Sequence, residues 1–425
     1  MVWGDVPIDR AVRALLDTRA MERLSGMSQL GFTFASFPRA RHSRLDHAIG
    51  VYHLTRLTLK KITDSGAYLE TRDAQAALAA ALLLDTGRYP YSQSIEGIAL
   101  PDAPTLKELS RRWIEHTEVA KVLLNEWDLE PHNVFRLVSR GENPPRSLTP
   151  TEHLLRDILF GSLDVDALDC IVRDAKGVRV PYGVVEVEPL IERLRIVGQE
   201  NRAILTVDEE GAGSLQSLVF SRYLMHYNVH GHHALRIPTV MFLRAVQDAI
   251  QAETMTFDRL SEQDDAGAFV LVQDSAEPES SSATLMKRLA ERNSYRLALE
   301  FDERHPGYAS LIRLRDDSSW RRRVEEAWAR YLTRYRKGVA GPFDILIDLP
   351  EERKLPMGLR LIRRTPLPGE RNPVSWQSLS GMTDDDLERY HAPLHRIVIA
   401  TASDDLVTSV RRHAEELFTI AEEVG

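Results

Sequence analysis

Three histidines in the second half of the chain have a spacing that could bind a metal ion. His226, His230 and His233 are separated by four and three residues, so one helix would present their imidazoles together. No acidic residue accompanies them with zinc-protease spacing, which favours a structural role. The chain also contains no Gly-rich phosphate loop, GxSxG nucleophile elbow, CxxC pair or kinase motif set. Those enzyme classes are therefore excluded.

A second set of polar residues recurs at helical spacing. Asp166, Cys170 and Asp174 follow one another at intervals of four, so a helix beginning near Leu163 would place them on one face. The alternative is that the acidic residues here form the solvated face of a short helix, namely Asp164, Asp166, Asp169 and Asp174. His47 shares a helical face with apolar residues, a pattern that by itself is more typical of a core histidine than of a ligand.

Five segments of the chain occur in an order that points to one family. They are PIDRAVRALLDTRAMERLSGMSQLG (Pro7–Gly31), SRLDHAIGVYHL (Ser43–Leu54), AALAAALLLDTGRYPYSQSIE (Ala76–Glu96), LDVDALDCIVRD (Leu163–Asp174) and RYLMHYNVHGHHALR (Arg222–Arg236). Together they resemble the HD-domain phosphohydrolases, and in particular their deoxynucleoside triphosphate triphosphohydrolase branch. The resemblance is strong up to about Ala249 and weaker beyond it.

The resemblance implies a divalent ion bound by a histidine, a His-Asp doublet and a later aspartate. His47, Asp85 and Asp166 occupy three of those positions, and Leu84 occupies the fourth. Leucine has no electron pair to donate, although three protein ligands can suffice for a catalytic metal. We therefore expect a degenerate site that binds magnesium, manganese, iron or zinc weakly or not at all.

Two further histidines of the family motif are replaced here by Arg88 and Gln93. Arg88 could form a bidentate ion pair with an aspartate and take over the electrostatic role of the metal, or it could be a surface arginine on a loop. His116 resembles the histidine that assists phosphate-ester cleavage, which makes it the candidate catalytic residue. Because one positioned general acid contributes roughly 10²–10⁴ in rate, turnover should suffer more than binding.

The same resemblance implies a nucleotide-binding set of residues. Gln29 and Leu30 fall where the family contacts the nucleoside, and Asp174 falls where it contacts the ribose hydroxyl. Arg44 falls where an arginine grips the phosphates, a task that suits its planar fork of donors. Cys170 replaces a tyrosine beside the sugar, and a thiol can neither stack nor hydrogen-bond as that tyrosine does.

Composition limits the location and the partners of the protein. With 425 residues, of which 43% are hydrophobic, the chain can form a sizeable core. Its longest purely apolar run, Ala76–Leu84, is too short to span a bilayer, and we expect no membrane association. The beginning of the sequence shows no signal-peptide pattern, and Cys170 is the single cysteine, so we expect a cytoplasmic, reducing environment. A net charge of −9 makes nucleic acid an unexpected partner.

Helical periodicity predicts a mainly α fold. We expect an HD-like helical domain over residues 1–255, interrupted by a small β-hairpin formed by Val180–Val187 and Ala203–Val207. A helical extension over residues 256–340 follows, with a polar loop at 273–282. Residues 341–425 are expected to form a small α/β appendage. Its predicted strands and closing helix are Asp344–Asp348, Leu359–Arg363, Arg396–Ala400 and Asp404–Glu422.

The residues from Ser318 to Arg336 predict a helix with an aromatic stripe and a basic opposite face. Trp320, Trp328, Tyr331 and Tyr335 form the stripe, which is more typical of a docking helix than of a nucleic-acid surface, given the acidic total charge.

Three functions remain open at this point. The preferred one is a phosphohydrolase-like protein that binds a nucleotide or related phosphate ligand as a sensor or scaffold with little hydrolysis. The second is an active metal-dependent phosphohydrolase acting on nucleoside phosphates, and the third is a pure protein-interaction scaffold. A homo-oligomer is expected in each case, and a protein partner is compatible with all three.

Overall fold

The computed structural model describes most of the chain. The described residues are 2–32, 37–91, 95, 103–139, 148–199, 202–335, 340–349, 358–366, 368–369 and 372–424. They are mainly helical with small sheets, which confirms the predicted fold class. Gln93 lies outside the described residues, so its predicted role stays a prediction.

Helices fill the first part of the chain, up to the first strand. Their bounds are α1 Arg10–Leu16, α2 Arg19–Ser25, α3 Arg44–Asp64, α4 Thr71–Leu83, α5 Leu106–Glu115, α6 Glu118–Glu126, α7 Pro131–Val138, α8 Pro150–Phe160, α9 Val165–Val178 and α10 Val187–Glu192.

The second part of the chain alternates helices with short strands. Its helices are α11 Ala212–Met225, α12 His233–Gln251, α13 Phe257–Ser261, α14 Asp265–Ser275, α15 Ser281–Ala290, α16 Tyr308–Ile312, α17 Ser318–Thr333, α18 Trp376–Ser380, α19 Asp384–His391, α20 Asp404–Arg412 and α21 Ala414–Glu423. Its strands are β1 Leu194–Gln199, β2 Arg202–Asp208, β3 Arg296–Phe301, β4 Ile345–Asp348, β5 Arg360–Ile362, β6 Val374–Ser375 and β7 Ile397–Thr401.

Helix α3 begins with a capping box that fixes the start of the site. Ser43 Oγ accepts from the backbone N–H of Asp46 at 3.1 Å, and Asp46 Oδ2 accepts from the N–H of Ser43 at 2.8 Å. These bonds satisfy amide groups that the first turn leaves unpaired. Arg44 and His47 therefore lie in the first turn and just beyond it, on a helix that packs against α4 and α9.

Helices α3 and α9 pack closely at Gly50. A Cβ atom at this position would lie 1.9 Å from Asp169 Oδ1 and 2.4 Å from Arg173 Nη2. Only glycine fits there, because real Cβ atoms do not approach other heavy atoms so closely. The close approach brings the acidic residues of α9 against the His47 face of α3.

The predicted hairpin forms, but from a different first strand. β1 pairs antiparallel with β2 in the register Leu194↔Val207, so Ala203–Val207 is correctly predicted and Val180–Val187 is wrong. The latter segment is an extended loop that leads into α10. Its carbonyl at Val184 accepts from Ser217 Oγ at 3.1 Å; Val185 and Val187 are buried without strand pairing, whereas the Val184 side chain is 73% exposed.

The strands predicted near the end of the chain belong to two sheets. β4 and β7 join β3 in the order β3-β7-β4, whereas β5 pairs in parallel with β2 in the order β1-β2-β5-β6. Strand pairing thus crosses the expected divisions after residues 255 and 340, and the domain boundaries themselves stay predictions. The polar loop is shorter than 273–282, because α14 reaches Ser275 and the Ser280 side chain caps α15.

The predicted aromatic helix is α17, and it packs onto the end of the chain. Trp328 is fully buried, and its Nε1–H donates to the Leu417 carbonyl of α21 at 2.7 Å. Arg321 on the same helix is also buried, beside Glu325, so the arginines of α17 are not all solvated. No described helix combines the length and the apolar character needed to cross a bilayer.

Candidate functional site

The carboxylate of Asp85 lies between two guanidinium groups. Asp85 follows α4 and is 2% exposed; its Oδ2 accepts from Arg44 Nη1 at 2.6 Å and its Oδ1 from Arg88 Nε at 3.2 Å. Leu84 beside it is buried in the helical core. We call Arg44, Asp85 and Arg88 the Asp85 cluster. The ion pair that the sequence offered for Arg88 as one of two alternatives is present, with Asp85 as its partner.

His47 bridges two carboxylates with its two ring nitrogens. Nε2 lies 2.8 Å from Asp166 Oδ1, and Nδ1 lies 2.7 Å from Asp169 Oδ2. Burial is the largest influence and lowers the pKa of His47, but the bonds to Asp166 and Asp169 outweigh it and raise the pKa to about 10. The two carboxylates therefore favour the protonated, cationic form of His47.

Asp169 is held in place from three sides. Arg173 forms a two-pronged pair with it, at 2.8 Å and 2.9 Å, and the Trp3 indole N–H donates to its Oδ1 at 2.5 Å. Burial raises the pKa of Asp169. The hydrogen bonds from His47 and Arg173 outweigh this effect and hold the pKa below its ordinary value. Asp169 is thus a buried anion and not part of a solvated acidic face.

Asp174 forms the centre of a second cluster. His42 Nε2 lies 2.8 Å from its Oδ1, His230 Nε2 lies 2.8 Å from its Oδ2, and Cys170 Sγ donates to that Oδ2 at 3.3 Å. Gln29 Nε2 lies 3.9 Å from the same sulfur. We call these five residues the Asp174 cluster.

Hydrogen bonding and burial set the charge states in the Asp174 cluster. Burial raises the pKa of Asp174, but His230 and His42 reverse this and hold the pKa below its ordinary value. Burial, followed by the nearby charge of Asp174, raises the pKa of the Cys170 thiol well above its ordinary value. Cys170 is therefore a protonated donor beside a carboxylate anion.

The loop after Asp85 is held by a buried arginine. Arg23 donates through Nη2 to the Arg88 carbonyl at 2.5 Å and through Nε to the Gln263 carbonyl at 2.8 Å. Burial and then the neighbouring Arg44 charge lower the pKa of Arg23 to about 10, so the side chain stays a cation at neutral pH. Arg23 therefore adds positive charge near the Asp85 cluster.

An aspartate on helix α14, far along the chain, contacts two backbone segments near the Asp85 cluster. Asp265 accepts from the backbone N–H groups of Ser28 at 2.8 Å and Tyr91 at 2.9 Å. Burial raises the pKa of Asp265 to about 6, against the opposing effect of the two hydrogen bonds. Asp265 thus connects the Gln29 segment with the loop that carries Arg88.

The remaining predicted site residues are spread more widely. Leu30 is half-buried against the helical core, next to Gln29. His116 is exposed at the C-terminal end of α5. Among the described residues, no hydrogen bond or ion pair joins it to either cluster. His226 and His230 lie on a π-helical turn, with His233 on the next helix; His233 contacts Glu300, so the three imidazoles do not converge.

The residues present do not fit the metal site that the resemblance implies. The Asp85 oxygens contact guanidinium groups, both nitrogens of His47 contact carboxylates, and Leu84 offers no ligand atom. Across the part of the chain that the structure describes, the single trio of metal-binding side chains with ligand atoms within 4.8 Å is Cys170, Asp174 and His230.

Several functional residues had no signal in the sequence. His42 contacts Asp174, Trp3 contacts Asp169 and Asp265 contacts Ser28, over separations of up to 237 positions, and nothing in their neighbourhood marks them. His230 was singled out for its spacing with other histidines, whereas its partner is Asp174 on α9. Asp169 and Arg173 do have a signal, because four residues separate them on one helix.

Comparisons with known proteins found similarity over large parts of the chain. A family model described as the HD associated region matches residues 185–362. The uncharacterised protein YwfO of Bacillus subtilis is 28% identical over 57% of this chain and 53% of its own length. The deoxynucleoside triphosphate triphosphohydrolase SAMHD1 homolog of Dictyostelium discoideum is 25% identical over 71% of this chain and 59% of its own length.

A solved structure supports the same fold over nearly the whole chain. A phosphohydrolase from Bacteroides thetaiotaomicron superposes with a TM-score of 0.71 at 17% identity, covering 95% of this chain and 98% of that one. At this identity the likeness shows the fold alone. The chain spans little more than half the length of the curated relatives it matches.

Proposed function

We propose that this chain, a member of the HD superfamily of phosphohydrolases, binds a nucleotide or related phosphate ligand as a sensor or scaffold and hydrolyses it little or not at all. The observation that carries the proposal is the Asp85 cluster. Two arginines contact the carboxylate that the family resemblance assigns to the metal ion. Positive charge is thus retained at this position, but it is supplied by guanidinium groups.

The charge of the Asp85 cluster favours an anionic ligand. Two arginines and one aspartate carry a net charge of +1, and the nearby cation Arg23 is offset by Asp265, whose pKa of about 6 leaves it ionised at neutral pH. In a buried setting such charges act through a low dielectric, so their attraction for a phosphate is stronger than at an exposed surface. Guanidinium groups also match phosphate oxygens geometrically, because their donors form a planar fork.

The Asp174 cluster supports a nucleoside end for the same ligand. Gln29 and Asp174, the predicted nucleoside and ribose contacts, both neighbour Cys170. The segment from His42 to His47 connects the two clusters, since His42 contacts Asp174, Arg44 contacts Asp85 and His47 contacts Asp166. A ligand with a phosphate group and a sugar would therefore find both sets of partners along one segment.

The same geometry argues against efficient hydrolysis. Attack on phosphorus needs a group that takes a proton from water, and His47 is already protonated between two carboxylates. The oxygens of Asp85 are directed at arginines, and His116 is exposed at the end of α5. The chain thus retains cationic groups suited to a phosphate while the groups that would activate water are engaged elsewhere.

Calorimetry with a nucleotide panel tests the proposal. Deoxynucleoside triphosphates come first, because a relative carries that substrate class in its name. Arg44→Ala should weaken binding roughly 10- to 150-fold, since a hydrogen bond to a charged group contributes about 1.5–3 kcal/mol. Lys60→Ala is the matched control, because Lys60 is an exposed cation about 24 Å along the same helix.

The possible results separate the three functions. Equal weakening by both variants, or none by Arg44→Ala, would contradict a phosphate pocket at the Asp85 cluster. Rapid release of phosphate or triphosphate with added divalent metal would support the hydrolase alternative. No binding by any nucleotide would favour the interaction scaffold. Circular dichroism must first show that Arg44→Ala folds, since Asp85 then keeps Arg88 as its remaining cation in the cluster.

The assembly and the location of the protein also stay proposals. We propose a homo-oligomer in the cytoplasm, for which sedimentation of the purified chain and localisation of a tagged one are direct measurements. A protein partner is compatible with the sensor and scaffold functions alike.

A further inference from the structure

The Asp174 cluster contains metal-binding side chains that differ from the residues to which the family resemblance assigns the metal. One atom each from Cys170, Asp174 and His230 lies within 4.8 Å of the other two. Asp174 Oδ2 is the centre of the group, at 3.3 Å from Cys170 Sγ and 2.8 Å from His230 Nε2. A thiol, a carboxylate and an imidazole thus point at one small volume.

A second, independent observation concerns the side-chain amide of Gln29, which neighbours the cluster. Gln29 is 7% exposed, and its Nε2 lies 3.9 Å from Cys170 Sγ. Its Oε1 is buried and has no hydrogen-bond partner among the residues that the structure describes. Such a carbonyl oxygen costs stability unless a donor reaches it. A ligand that brings a donor into the cluster would satisfy it.

We propose that Cys170, Asp174 and His230 bind a zinc-like divalent transition metal, with a water in the fourth position that donates to Gln29. Mixed sulfur, nitrogen and oxygen ligands suit such an ion, and three protein ligands with an open position are typical of zinc sites. Bond lengths of about 2.0–2.3 Å place neighbouring ligands of a tetrahedral ion roughly 3.3–3.7 Å apart. Relative to the present distances, the imidazole and the carboxylate need to separate by less than about 1 Å.

His42 positions the carboxylate for this role. Its Nε2 holds Asp174 Oδ1 at 2.8 Å, and this leaves Oδ2 directed at Cys170 and His230. An outer partner of this kind orients a carboxylate ligand and tunes its affinity for the ion. His42 therefore acts as a positioning residue and not as a ligand.

The single cysteine of the chain makes the site spectroscopically unambiguous. Chelator-treated full-length protein is titrated with Co²⁺ without nucleotide, so the result does not depend on the proposed phosphate pocket. Thiolate ligation gives Co²⁺ an intense near-ultraviolet charge-transfer absorption, and only Cys170 can produce it. We expect one Co²⁺ per chain with this absorption, and its loss when Zn²⁺ displaces the cobalt.

Variants assign the remaining ligands. Cys170→Ser should remove the charge-transfer absorption, and His230→Ala should weaken Co²⁺ binding at least tenfold. His42→Ala should weaken binding roughly 10- to 100-fold while the absorption persists at saturation, as expected of an outer-sphere partner. His226→Ala is the matched control, because its ring lies 6.3 Å from that of His230 but outside the group of ligands. His47→Gln should leave the absorption unchanged.

Two results would overturn the proposal. One is the absence of the absorption in the unmodified protein at saturating Co²⁺. The other is equal Co²⁺ affinity of folded His230→Ala and His226→Ala proteins. If Cys170→Ser fails to fold, the unmodified chain still provides a test, because Zn²⁺ should slow the reaction of the Cys170 thiol with a disulfide reagent. An unchanged rate would count against the site.

Discussion

Gly50→Ala should destabilise the protein, contrary to the usual effect of replacing a helical glycine. In a helix interior, alanine is ordinarily favoured over glycine by roughly 0.5–1 kcal/mol. At Gly50 the added Cβ would lie 1.9 Å from Asp169 Oδ1. The substitution therefore tests whether α3 and α9 approach as closely as the structure shows.

The magnitude depends on how Asp169 can respond. A carboxylate at the end of a free side chain would swing aside at little cost, but Asp169 accepts from Trp3, His47 and Arg173. Overpacking a tight contact costs about 1–3 kcal/mol, and disrupting a buried ion pair costs about 3–5 kcal/mol. After the favourable alanine term is subtracted, we expect a loss of roughly 1–4 kcal/mol of unfolding free energy.

Urea unfolding followed by circular dichroism measures the change, and hydrogen exchange of α3 and α9 locates it. Gly213→Ala on α11 is the matched control, because Gly213 is exposed and its added Cβ would meet nothing within 4 Å. That variant should be neutral or stabilised by up to about 1 kcal/mol. If both variants gained stability equally, the close packing of α3 on α9 would be refuted.

Two further predictions concern the metal positions of the family and the pH response. The first replaces Leu84, Arg88 and Gln93 together with histidine, in a His230→Ala background that disables the proposed Cys170 site. The metal content found by elemental analysis should rise. An unchanged metal content in a folded variant would mean that His47 and Asp85 cannot converge on an ion. The second concerns Asp265, whose pKa is raised to about 6, above its value in the unfolded chain. Between about pH 4 and 6 the folded state therefore binds more protons than the unfolded state. The contribution of Asp265 to the unfolding free energy falls as pH rises through this range, by roughly 3 kcal/mol at most. Asp265→Asn should lose that decline in urea unfolding measured across this range, and a parallel decline in both proteins would contradict it.

Local sequence signals predicted the helical frame well. The capping box at Ser43 and the apolar face of α3 lie within one segment, so their pattern is complete in the sequence. The first hairpin strand was misplaced because Val180–Val187 has the composition of a strand but buries Val185 and Val187 without strand pairing. Composition reports burial, whereas pairing depends on a partner elsewhere. The same reason explains why β5 could not be assigned to the sheet of β2.

The candidate site was predictable where one segment carries its own chemistry. Arg88 lies three residues after Asp85, so their ion pair was one of two alternatives that the sequence offered. The pairing of His230 with Asp174 joins residues 56 positions apart, and that of Trp3 with Asp169 joins residues 166 positions apart. Such contacts depend on the tertiary arrangement of helices, which spacing along the chain does not encode.

The replacements at the family's metal positions are mutually consistent in physical terms. An arginine at position 88 beside a divalent ion would place two cations against the one carboxylate of Asp85, which is unfavourable in a buried setting. With Leu84 in place of an imidazole, an ion at this position would have one ligand fewer. Arg88 instead contacts Asp85, whose charge would otherwise be neutralised by Arg44. Restoring one histidine alone would leave that arginine in competition with the metal. The proposed function therefore treats the Asp85 cluster as a stable ionic arrangement and not as a metal centre that has lost single ligands.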